Sequence, residues 1–88
     1  MNWVVRLADD AQATLTDLSP KHKGQVSKSI SAMEHDPFRG DVEALQGKEW
    51  HGCYRKRAGD FRIVFTVDRS HRFVDVVAIL RRSEKTYR

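Results

Sequence analysis

The sequence predicts an α+β fold in the order β-α-α-β-β-β, a mainly antiparallel four-stranded sheet with a two-helix hairpin on one face. Three observations predict it. Phe61, Ile63, Phe65 and Val67 alternate with Arg62, Val64 and Thr66, the period-2 pattern of a strand with two unlike faces. Apolar residues recur at helical spacing over two stretches separated by Ser19-Pro20, which marks two helices joined too closely to do anything but fold back. Finally, 88 residues of which 40% are hydrophobic suffice for one core, hence a single domain over 1–88 with one helical layer on one sheet.

The first strand is Asn2 to Leu7, rich in aromatic and β-branched residues, with Trp3, Val5 and Leu7 on one face. Asp9 or Asp10 offers an N-cap for a helix over 10–18, whose stripe is Ala11, Leu15 and Leu18. Ser19 caps the second helix, and Pro20 is tolerated in its first turn because its missing N–H is no loss there. Val26, Ile30 and Met33 continue the stripe, Gly24 weakens the helix, and Asp36-Pro37 ends it, since proline disfavours helical geometry in its predecessor. Residues 37–50 read as a polar, irregular loop with Gly40 and Gly47 as breakers and Val42, Leu45 and Trp50 as anchors. A hairpin follows, turning at Ala58-Gly59-Asp60, where glycine accepts positive φ freely and Asp bonds its local backbone. Phe73 to Leu80, with Asp75 its only charge, reads as a strand covered on both faces over much of its length. Arg81 to Arg88 is a basic tail.

Charge is unevenly distributed. Residues 1–47 hold five Lys and Arg against seven Asp and Glu, whereas residues 48–88 hold eleven against five, so the net charge of +4 arises in the strand-rich half. Nucleic acid is one partner such a footprint fits, an acidic protein another. Within that half, Arg55 and Arg57 share a face of one hairpin strand and Arg62 lies on the next. Solvated strand residues would show the same spacing. Like charges on adjacent strands repel, however, so a cluster without interleaved acids favours an anionic ligand. The single cysteine, Cys53, has no internal partner, and His22, His35, His51 and His71 are too scattered for a metal-ligand spacing. No metal or other cofactor is expected. A free thiol suits a reducing cytoplasm, and neither a signal peptide nor an apolar run of membrane-spanning length is expected. No glycine-rich phosphate loop occurs: Arg57-Ala58-Gly59-Asp60 has one glycine and opens no helix.

The run Tyr54-Arg55-Lys56-Arg57-Ala58-Gly59-Asp60-Phe61-Arg62-Ile63-Val64-Phe65, preceded by Leu45-Gln46-Gly47 and followed by Arg81-Arg82 and Tyr87-Arg88, resembles the RelE/ParE superfamily, the toxin halves of toxin–antitoxin pairs. The resemblance covers essentially the whole chain. It implies a small curved sheet with two helices on one face. It implies either a ribosome-dependent mRNA endoribonuclease that inhibits translation, in the RelE-like branch, or an inhibitor of DNA gyrase without nuclease activity, in the ParE-like branch. The RelE-like branch is favoured. It also implies a cognate antitoxin, and a higher-order complex with it on operator DNA. The matching catalytic positions are Arg55, Arg57, Arg62, Arg81 or Arg82, and Tyr87, while Lys56, Arg82, Lys85 and Arg88 are candidate RNA contacts. Two departures stand out. Relatives with lysine at the first two positions have a better proton donor than Arg55 and Arg57, because arginine stays charged. Lys56 falls where the family has an apolar inward residue, so its stem would pack while its ammonium reaches water.

RNA is cut by its own 2′-OH when that group is deprotonated, charge on the phosphorus is stabilised, and the 5′-oxygen is protonated. Arg62 and Arg81 are candidates for the second task, since the planar guanidinium fork fits phosphate oxygens. Tyr87 is the candidate base by resemblance, provided neighbouring arginines lower a pKa ordinarily near ~10. None of the four histidines lies in the hairpin or tail. Lacking an ordinary acid–base pair, such a site predicts a poor nuclease on free RNA that needs the ribosome to position the message.

Overall fold

A computed structural model describes residues 2–81. Arg82, Lys85, Tyr87 and Arg88 lie outside the described residues. The elements are β1 (Val4–Leu7), α1 (Asp9–Asp17), α2 (Pro20–Met33), β2 (Val42–Ala44), a short 3-10 turn (Lys48–Trp50), β3 (Tyr54–Ala58), β4 (Phe61–Asp68) and β5 (Phe73–Arg81). The sheet runs β1-β5-β4-β3-β2, with β1 parallel to β5 and all other pairs antiparallel. Among the described residues it therefore has five strands rather than the four expected. The additional strand, β2, falls inside the stretch expected to be irregular. Three residues are too few to show a period, and Glu43 and Ala44 are not strand formers. Pairing with β3 (Val42 to Lys56, Glu43 to Arg55, Ala44 to Tyr54) is what extends them.

Both helices pack on one sheet face. The core consists of Ala11, Val26 and Met33 from the helices and Ala58, Phe61, Ile63, Phe65, Val74, Val76 and Ile79 from the strands. Tyr54 joins its margin, stacked on Phe65 at 5.7 Å between ring centroids. Ser19 caps α2 as expected, its hydroxyl accepting from the His22 amide at 3.4 Å, with Pro20 in the first turn. For α1 the expectation shifts by one residue. Its N-cap is Ala8, without a side-chain cap. The Ala8 amide donates to the Val76 carbonyl at 2.9 Å, which ties the chain to β5 and starts the helix at Asp9. Asp9 and Asp10 thus sit in the first turn, where they favour the positive end of the helix dipole.

Among the described residues, no helix lies over the other sheet face. Phe73, Ala78 and Leu80 are partly exposed there, so β5 is not the doubly covered strand its apolar run suggested. That run reflects a register shift at Val64/Phe65, where β4 pairs with Ala78 and then with Val76, leaving Val77 as the extra residue of a bulge. Apolar residues occur in both phases because the bulge exchanges the faces.

Candidate functional site

Side-chain alternation and the β3–β4 register together place the hairpin arginines. Arg57 pairs with Arg62 directly across the ladder, and Arg55 pairs with Val64. All three therefore rise from the uncovered face. Val64, fully buried although it too lies on this face, sits between Arg55 and Ala78 in the ladder. Lys56 pairs with Ile63, a core residue, so it points to the helical side, away from the arginines.

The cluster is not free of acids. Asp41, immediately before β2, and Glu43 within it close over β3. Nη1 of Arg55 donates to Oδ1 of Asp41 at 3.0 Å and to its backbone carbonyl at 3.2 Å. Nη2 of Arg55 meets Oε1 of Glu43 at 2.9 Å. Nε of Arg57 lies 3.5 Å from Oδ2 of Asp41. The two arginines consequently differ. The Arg55 side chain is only 10% exposed and held at both terminal nitrogens, whereas that of Arg57 is 43% exposed and held through Nε alone among the described residues. Burial opposes the charge of Arg55, but hydrogen bonds and attraction from Asp41 and Glu43 outweigh it and raise its pKa. The Arg55 hydrogen bond, with the charges of Arg55, Arg57 and Arg62, holds the Asp41 carboxyl below its ordinary 3.8. Among the described residues, the two carboxylates thus engage Arg55 closely and Arg57 in part.

The bulge decides where Arg81 goes. Unbroken alternation from Val74 and Val76 would turn Arg81 to the uncovered face. The extra residue reverses the phase, so Arg81 pairs with Phe61 and its guanidinium lies over that ring, 5.0 Å from the centroid. Arg57 and Arg62 are brought together; Arg81 and Lys56 are on the opposite face.

The family model for the ParE toxin of the type II toxin–antitoxin system parDE matches residues 5–86. The chain belongs to the ParE toxin family. No curated protein matches it. Among solved structures it is similar to the toxin–antitoxin complex RelBE2 from Mycobacterium tuberculosis, with a TM-score of 0.81 and 22% identity over 93% of this chain and 100% of that one. It is also similar to the archaeal RelE–RelB complex from Pyrococcus horikoshii, with a TM-score of 0.79 and 22% identity over 96% and 99% of the two chains. The YoeB/ParE toxin from Agrobacterium tumefaciens gives 0.75 and 17% over 89% and 96%. At these identities the likeness establishes the fold. The resemblance drawn from the hairpin and tail holds for the RelE/ParE superfamily.

In this toxin, two groups near the hairpin went unread in the sequence. Asp41 and Glu43 are one; their spacing of two was the available signal, hidden because the segment did not read as a strand. His22 is the other. The fold carries it from α2 to the hairpin turn, where its Nε2 lies 3.5 Å from Oδ2 of Asp60 and its ring meets Phe61 edge-on at 5.1 Å. This puts His22 on the Arg81 side of the sheet. At the far end of the uncovered face, Arg6 is neutralised by Asp75 through contacts of 2.7 and 3.0 Å and lies 4.0 Å over the Phe73 ring. Arg57 and Arg62 stand together at the other end of that face. Among the described residues, no helix is long and apolar enough to cross a membrane.

Proposed function

We propose that this toxin is a RelE-like, ribosome-dependent mRNA endoribonuclease that inhibits translation. The observation that carries the reading is the direct cross-strand pairing of Arg57 with Arg62 on an uncovered sheet face. Two adjacent guanidinium groups supply fixed donors for the oxygens of a scissile phosphate attacked by its own 2′-OH, and losing one such donor commonly costs ~10²–10³ in rate. Arg55, gripped by Asp41 and Glu43, serves as the rigid support of this pair. Tyr87 takes the part of base, and Arg82, Lys85 and Arg88 add RNA contacts. Lacking an ordinary acid–base pair, the site suits a message already positioned by the ribosome. The route is read as metal-free, with the substrate's own 2′-OH as nucleophile and the arginines as the charge stabilisers.

The similar solved structures from M. tuberculosis and P. horikoshii are complexes of toxin with RelB-type antitoxin, and we extend a cognate antitoxin to this chain, with their joint complex on operator DNA. Its docking segment would be acidic and partly apolar, to match the arginines and the partly exposed Leu80 beside them.

Primer extension on mRNA in a cell-free translation reaction tests the nuclease. New 3′ ends are expected that require active ribosomes and fall by ~10²-fold with Arg62→Ala. The match to the ParE family model favours a second reading, a gyrase inhibitor without nuclease activity. Intact mRNA together with blocked DNA supercoiling would select it.

A further inference from the structure

Asp41 engages both hairpin arginines on its side of the cluster, and its backbone and side chain act on the same pair. Its carbonyl accepts from the Arg57 amide at 3.0 Å and from Nη1 of Arg55 at 3.2 Å. Its carboxylate accepts from Arg55 at 3.0 Å with one oxygen and lies 3.5 Å from Nε of Arg57 with the other. The side chain is 46% exposed, so the carboxylate sits at the surface among guanidinium groups, where a bound phosphate would also place its oxygens. The ion pair at Nε draws Arg57 toward Asp41 and leaves its two terminal nitrogens unengaged by described residues. The carboxylate also offsets one positive charge that would otherwise attract the ligand.

We propose that Asp41 is an internal anion that orients Arg57 while competing with the RNA phosphate for it. Asp41 is thus a positioning residue that sets cleavage geometry and weakens binding. The proposal takes its ligand from the nuclease reading above. The Arg55 hydrogen bond, helped by the surrounding arginine charges, holds the carboxyl below its ordinary range, so the competing charge is present throughout neutral pH. The effects on binding and on turnover have opposite signs, which a purely structural role does not give.

The experiment compares wild type with Asp41→Asn, which keeps shape and one acceptor oxygen but removes the charge. The binding probe is a short 2′-O-methyl RNA, which cannot be cut, read by fluorescence anisotropy at several salt concentrations. Binding is expected to tighten by about 3–10-fold, with the salt slope steeper by about 0.7, the increment for one further phosphate contact on a single strand. In the ribosome assay, turnover is expected to fall about 10-fold because Arg57 loses its orientation. The binding gain should vanish in an Arg57→Gln background, and Glu43→Gln, which touches Arg55 alone, should give a smaller gain. Unchanged or weaker binding by folded Asp41→Asn, or a gain that survives Arg57→Gln, would overturn the proposal. If wild type leaves mRNA intact, the nuclease reading fails, while the binding comparison still decides whether Asp41 competes for Arg57.

Discussion

Replacing Lys56 by Met separates the two sheet faces in one experiment. Lys56 is 8% exposed, and its β3 position opposite Ile63 turns it toward the helices rather than the arginines. Burial lowers its pKa below 10.5; attraction to Asp36 works the other way, and the charge of Arg39 adds to the lowering. Met matches the length of the lysine stem, so no cavity term arises. What remains is removal of a desolvated ammonium, offset by the lost attraction to Asp36, for a net stabilisation of about 1 kcal/mol. For a domain of this size that raises Tm by about 4–8 °C. The pH dependence carries the sign. With the folded pKa below the unfolded one, the unfolded chain binds more protons between the two values, so wild-type stability rises with pH there. The advantage of Lys56→Met should be constant below that window and shrink as pH approaches 10.5. Urea melts across pH measure this, and primer extension on the same variant should show undiminished cleavage. A loss of more than about 1 kcal/mol would show that the ammonium is well satisfied in place. A folded Lys56→Met that no longer cuts would refute the assignment of faces.

Other expectations follow from single positions. Gly24→Ala should stabilise by about 0.5–1 kcal/mol in a urea melt, because a Cβ there meets nothing within 4 Å on an exposed stretch of α2. Gly59→Ala should destabilise by about 1–2 kcal/mol by the same assay, since φ is +60° and the new Cβ would come within 2.6 Å of Oε1 of Gln25. Asp68, held at about 2 by hydrogen bonds from His71, Ser70 and the His71 amide, favours the folded state above its unfolded pKa. That contribution fades as pH falls through about 2, so the stability gap between wild type and Asp68→Asn in thermal melts should close over that acid range. Arg81→Ala should reduce cleavage far less than Arg57→Ala in the primer-extension assay, because Arg81 stacks on Phe61 across the sheet.

Local signals with a clear physical cause were legible in the sequence. Ser19-Pro20 fixed the start of α2, Ala58-Gly59-Asp60 the hairpin turn, and alternation the shared face of Arg55 and Arg57, whereas Arg62 joins them through the strand register. Less was legible where pairing, not pattern, makes the structure. β2 has three residues and takes its extended form from β3. Asp41 and Glu43 were therefore invisible as partners of the arginines, and the cluster looked free of acids. The bulge leaves no mark in an apolar run, since valine and alanine suit either face, yet it moves Arg81 to the side of Phe61. His22 reaches Asp60 only through the packing of α2 on the sheet, which no spacing along the chain encodes.

These omissions are linked by electrostatics. Cross-strand neighbours stand about 5 Å apart at Cβ, and unit charges on the order of 7 Å apart repel by about 2 kcal/mol at an effective dielectric near 20. Three arginines on one small face would thus oppose a hairpin whose domain has only a modest margin of stability. The edge strand relieves this. Asp41 and Glu43 neutralise Arg55 almost completely and Arg57 in part, which lets the face keep a rigid arginine pair in the absence of ligand. A neutral edge strand would leave the same cations in place but splay them apart. The contribution of this edge to the toxin is electrostatic as well as structural, and so Asp41→Asn is expected both to tighten RNA binding and to lower the melting curve, because it uncovers the arginine repulsion that the carboxylate offsets.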